Sequence, residues 1–126
     1  MEYDGFEIGP RADLANVDLS GANLESVDLT KANLSSANLT SANLSGATLI
    51  DANLSGANLS DANLSDANLW GANLVRAQLT SANLTHANLK HAFVNDAILG
   101  GANLTKANLT RAHLNNVNFW GTNLTD

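Results

Sequence analysis

Ala52-Asn53-Leu54-Ser55-Gly56, Ala57-Asn58-Leu59-Ser60-Asp61 and Ala62-Asn63-Leu64-Ser65-Asp66 are one five-residue phrase written three times without a break. The phrase extends in both directions. Its central apolar residue recurs every fifth position from Leu14 to Leu124, with Val94 and Phe119 as the only departures from leucine. Two positions earlier stands Ala, except at Val17, Val27, Val117 and Thr122. The intervening position is mostly Asn, with Asp13, Asp18 and Asp28 early and Thr48, Gln78, Phe93, Ile98 and His113 later. The two positions after the centre are mostly Ser, Thr, Gly or charged.

A five-residue period excludes the two simplest structures. In a helix, at about 100° per residue, successive leucines would be offset by about 140° and would smear around the cylinder. In a continuous strand an odd period throws alternate leucines onto opposite faces. The pattern demands a three-residue extended piece, with Ala and Leu inward and Asn outward. A two-residue corner must follow to restore the facing, and Ser, Gly, Asn and Asp suit such a corner. Side and corner repeated wind the chain into a coil whose apolar interior becomes continuous only through stacking.

The runs Ala32-Asn33-Leu34-Ser35-Ser36, Ala57-Asn58-Leu59-Ser60-Asp61 and Ala107-Asn108-Leu109-Thr110-Arg111 resemble the A(D/N)LXX signature of the pentapeptide repeat family, known especially from cyanobacteria. The resemblance covers residues 12–126, which is 23 consecutive units. It implies an all-β fold, a right-handed quadrilateral parallel β-helix with four units per coil. At 20 residues per coil this repeat region would form about 5.75 coils, a rod about 28 Å long at roughly 4.8 Å between stacked strands. Residues 1–11 fall outside the repeat. Either their apolar Tyr3, Phe6 and Ile8 fold over the first coil as a lid, with Pro10 blocking further pairing there, or the segment is a disordered tail.

Composition narrows the chemistry. The chain has no cysteine, which removes disulfides and thiolate sites. It carries no long apolar run and no basic-then-apolar leader, so a cytoplasmic protein without a membrane span is expected. A net charge of −6 argues against direct binding of nucleic acid or an anionic membrane. The charge is also uneven: residues 1–66 hold ten acids and two bases, whereas 67–126 hold two acids and four bases.

No constellation of catalytic or metal-ligating residues emerges. His86 and His91 occupy equivalent positions on successive sides and diverge, and His113 lies on another coil; they are read as solvated surface residues, not as a metal site. Asp51, Asp61 and Asp66 are read as corner carboxylates, with no glycine-rich calcium motif around them. A convex rod with a filled interior offers a Ser or Thr nucleophile neither a pocket nor a base. Neither an enzyme nor a cofactor is therefore expected.

The polar surface pattern breaks at Ile50, Trp70, Val75, Phe93, Ile98 and Trp120. In a four-sided coil Ile50 and Trp70 stack one above the other, and the six trace a diagonal apolar track. Either the track is an interaction surface for a partner protein of unknown identity, or its members are unrelated, with the coil locally distorted around Phe93 and Ile98. The leading functional expectation is a rigid, non-enzymatic protein-interaction scaffold. The alternative comes from the family resemblance, some of whose members mimic duplex DNA and inhibit DNA gyrase. A duplex of the rod's length would carry roughly 16 charges, far more than −6. The terminal coil, with Phe119, Trp120 and Leu124, is expected to support weak homodimerisation.

Overall fold

The computed structural model describes residues 1–126. Its organising feature is a ladder of parallel pairings between residues twenty apart, running from Asp13 with Asn33 to Asn103 with Asn123. Twenty residues are four pentapeptides, so each coil has four sides. The chain is a right-handed quadrilateral parallel β-helix.

Each side is held by two backbone hydrogen bonds of opposite direction along the rod. The Asn33 N–H donates to the Ala12 carbonyl below at 2.8 Å, and the Leu14 N–H donates to the Asn33 carbonyl at 2.7 Å. Nearly every corner is a β-turn closed by a third bond, such as Ala37 N–H to the Leu34 carbonyl at 3.1 Å; the corner between Leu114 and Val117 lacks it. The second residue of every corner, from Arg11 to Gly121, has φ between 55° and 70°. A positive φ at the third turn residue after a negative one is the type II pattern, which favours Gly or Asn there. Here Ser, Asp, Lys, Arg and His fill most of these corners. Stacking offsets their strain, because the corner N–H also donates to the coil above, as from Ser36 to the Ser55 carbonyl at 2.9 Å.

The interior follows from this geometry. Leucines from Leu14 to Leu104 and alanines from Ala22 to Ala102 are buried, and no polar or charged residue is. Small Ala beside Leu lets the side chains pack closely in a square column. Phe93 and Ile98 do not distort the coil: Phe93 pairs with Asn73 and His113, and Ile98 with Gln78 and Asn118, in the common register. Thr122, which stands where Ala is usual, satisfies its inward hydroxyl by donating to the Leu99 carbonyl at 2.7 Å.

Before the repeat, β1 (Glu2–Tyr3) and β2 (Phe6–Glu7) form a short antiparallel hairpin. Asp4 and Gly5 turn it with two successive positive φ values, 49° and 83°, as a two-residue hairpin turn requires. The hairpin leads into Ile8, which is buried and contiguous with the leucine column, while Tyr3 packs partly buried against it and Phe6 stays exposed. In the highest coil Leu109, Leu114 and Phe119 are only partly buried and Leu124 is exposed.

Candidate functional site

The outward Asn residues build most of the surface. Each Asn in the position before the central apolar residue accepts at Oδ1 from the backbone N–H two residues on, and several donate from Nδ2 to the Asn one coil below. Asn63 does both: Ser65 N–H donates to its Oδ1 at 3.2 Å, and its Nδ2 donates to Asn43 Oδ1 at 3.3 Å. Asn83 donates in turn to Asn63 at 3.2 Å. Asp13 and Asp18 replace Asn where no rung lies beneath. Their carboxylates only have to accept, from Asn33 and Asn38 at 3.0 Å each.

Two of these first-coil carboxyls are electrostatically shifted. The Ser20 hydroxyl and then the Ser20 amide hold the Asp18 carboxyl below the usual carboxylate range, with a smaller contribution from Asn38 and some opposition from desolvation. Asp28 is lowered in the same way by the hydroxyl and the amide of Thr30.

On this polar lattice the exceptions stand out. Ile50 and Trp70 lie one above the other at one corner, with Ile50 half-buried and Trp70 40% exposed. Val75, around the next corner, is half-buried. Phe93 and Ile98 occupy outward side positions on two neighbouring sides and are each 43% exposed. Trp120 is 84% exposed on the coil above Gly100.

The structure adds two histidines to this group. Trp70 packs against His91, with ring centroids 5.3 Å apart and planes at 57°. Phe93 stacks on His113 at 4.8 Å and 9°. His91 and Phe93 flank Ala92, so the two ring pairs adjoin across one corner. His91 and His113 lie at the surface, His91 half-buried and His113 exposed, and each also rests on an aromatic ring. The signal was present in the spacing: 93 and 113 differ by one coil, and 70 and 91 by one coil plus one residue. His86 remains exposed, and its Nδ1 lies 3.3 Å from Oδ1 of Asp66, one coil below.

The surface has no enclosed pocket, and no three His, Asp or Glu side chains converge as metal ligands would. No helix is long and apolar enough to cross a membrane. Chemically, the surface offers rigid contact: aromatic edges, aliphatic side chains and a regular amide lattice.

Comparison with known proteins agrees with this architecture. The family profile described as Pentapeptide repeats matches eight copies, over residues 11–46, 28–66, 62–101 and 95–126. No curated protein matches the sequence. Among solved structures, a pentapeptide repeat protein from the Arabidopsis thaliana thylakoid lumen is 36% identical, with a TM-score of 0.73 over 75% of this chain and 66% of that one. The pentapeptide repeat protein Rfr23 from the cyanobacterium Cyanothece 51142 is 42% identical, with a TM-score of 0.58 over 79% of this chain and 65% of that one. This chain therefore spans just under two thirds of the length of either.

Proposed function

The chain belongs to the pentapeptide repeat family, and on that premise we propose that it is a rigid, non-catalytic scaffold that binds another protein. The observation that carries this reading is the adjoining pair of ring stacks, Trp70 with His91 and Phe93 with His113, on a surface otherwise built of Asn, Ser and Thr. Aromatic residues held in place by their neighbours lose little side-chain entropy on binding, and such residues are enriched where interfaces concentrate their energy. Ile98 extends the apolar surface onto the next side. Duplex mimicry has less support. The net charge of −6 is small for the rod's length. Asp13 and Asp18 are also engaged in hydrogen bonds within the coil, unlike outward-facing phosphates.

The test is affinity capture from the native host with three proteins: wild type, Trp70→Ser/Phe93→Asn, and Thr85→Ala as a control away from the patch. The expected result is one specific protein retained by wild type and control and lost by the double variant. Indistinguishable captures from all three, or no protein retained by wild type, would refute the proposal.

A further inference from the structure

Four of the six Lys and Arg residues stand on a single corner of the four-sided rod. Backbone bonds define that corner: Arg11 N–H to Thr30, Lys31 to Ile50, Asp51 to Trp70 and Gly71 to Lys90, all at 2.9 Å, then His91 to Thr110 at 3.0 Å. Arg111 continues the column, one coil above His91. Arg11, Lys31 and Arg111 are exposed, and Lys90 and His91 are half-buried. Asp51 is the one acid on this corner, with Asp13 and Asp28 on the sides that flank its lower part. The two other bases, Arg76 and Lys106, stand on two other corners. A protein of net charge −6 thus carries a narrow basic ridge.

The order along the ridge is specific. Arg11 and Lys31 lie below, Ile50 and Trp70 in the middle, and Lys90, His91 and Arg111 above. We propose that this ridge binds an extended acidic segment of a partner protein, whose carboxylates meet the two cationic groups while an apolar side chain between them rests on Ile50 and Trp70. The proposal deepens the scaffold reading and rests on it. From Arg11 to Arg111 is five coils, about 24 Å at roughly 4.8 Å each. An extended peptide covers that distance in about seven residues at about 3.3 Å per residue. Acidic residues at both ends of such a segment, with one apolar residue near its middle, match the arrangement.

Charge complementarity favours a peptide over nucleic acid. A duplex is wider than the ridge and would also meet the carboxylates of Asp13 and Asp28. A single strand binds chiefly by stacking bases on free ring faces. Here Phe93 has a face covered by His113 and Trp70 is tilted onto His91. What remains exposed suits an aliphatic or aromatic side chain better than a base.

The test uses the full chain with Trp120→Phe, so that Trp70 is the one remaining tryptophan and reports alone on excitation that spares Tyr3. The probe is a synthetic acidic peptide of about nine residues with a central leucine. Controls are the same peptide with Gln for every Glu, and an oligothymidylate of equal charge. The acidic peptide should bind and weaken with added salt, and the Gln peptide should not bind. Lys31→Gln/Arg111→Gln should weaken binding by about tenfold or more. Arg76→Gln/Lys106→Gln removes the same charge from other corners and should weaken it by less than about twofold. Equal losses from the two pairs, no binding of the acidic peptide, or tighter binding of the oligothymidylate would overturn the proposal. If it falls while a host protein is still captured in a manner that depends on Trp70 and Phe93, the scaffold reading stands without it.

Discussion

Phe93 and His113 are stacked ring on ring, 4.8 Å between centroids and 9° from parallel, one coil apart on the same side of the rod. Both occupy a position that Asn holds in most units, so each breaks the amide lattice and together they replace two of its rungs. Offset aromatic pairs contribute about 0.5–1.5 kcal/mol beyond area burial. A double-mutant cycle with Phe93→Ala and His113→Ala, which introduces no new side-chain bond, should return a coupling of that size from urea unfolding. A separate variant, Phe93→Asn/His113→Asn, should be close to wild type in stability, because it restores the usual rungs. A coupling near zero would mean that the stack contributes nothing beyond two independent surface residues.

Asn63 lies in the middle of a column that runs from Asn23 through Asn43 to Asn83. It donates to the rung below and accepts from both the rung above and Ser65 N–H. Asn63→Asp keeps the acceptor and removes the donor, placing a carboxylate beside Asn43 Oδ1. That change should cost about 1–2 kcal/mol, the loss of one partly buried hydrogen bond plus an unfavourable acceptor pair. The reverse change at the foot of another column, Asp18→Asn, should cost less at neutral pH, only the charge-assisted part of the bonds from Ser20 and Asn38, because Asp18 has no rung below to donate to. Urea unfolding of both variants checks the contrast, and equal costs would contradict the directional ladder.

Acid should weaken the first coil selectively. The Asp18 and Asp28 carboxyls are lowered chiefly by hydroxyl and amide donors from Ser20 and Thr30. A carboxyl depressed in the folded state contributes stability that is present above its unfolded value and is lost as pH falls through the folded value. The contribution should therefore be intact at neutral pH and decline below the ordinary carboxylate range, starting near 3.8. Asp18→Asn/Asp28→Asn should flatten the acid limb of a melting temperature against pH profile. An unchanged limb would show that other carboxylates control it.

Period, inward Leu and Ala, and outward Asn were legible because they repeat at every unit, and a single rule of side plus corner accounts for all of them. Features that depend on what lies one coil away were harder to read. Asp13, Asp18 and Asp28 look like arbitrary substitutes for Asn until the ladder shows that the lowest rung needs only acceptors. The histidines are at the surface, as the five-residue spacing indicates, but the ring partners of His91 and His113 emerge only at separations of 21 and 20. The basic ridge was hidden for a similar reason. Dividing the charge between residues 1–66 and 67–126 separates Arg11 and Lys31 from Lys90 and Arg111, although the coil brings all four to one corner. The hairpin at residues 2–7 could be anticipated from Asp4-Gly5, yet which of Tyr3, Phe6 and Ile8 reaches the core depends on packing that no local pattern encodes.

The corner backbone makes the last prediction. Ser41 has φ of 57°, a left-handed conformation that Gly adopts freely and that a β-branched residue adopts only with strain. Its N–H donates to the Ser60 carbonyl on the next coil at 2.9 Å, and the following Ala42 N–H closes the turn on the Leu39 carbonyl at 3.0 Å. The conformation cannot relax without breaking both bonds, so an unsuitable side chain must carry the strain. Ser41→Val should destabilise by about 1–3 kcal/mol. Ser41→Gly should change stability by no more than about 1 kcal/mol, since relief of strain and greater unfolded-state entropy oppose each other. Ser41→Asn, a residue that tolerates this region, should fall between wild type and Gly. The side chain of Ser41 is exposed, so burial cannot account for a loss at Val. Chemical denaturation of the three variants decides the matter, and a Val variant as stable as the Gly variant would mean that the corners are not held in the left-handed conformation in solution.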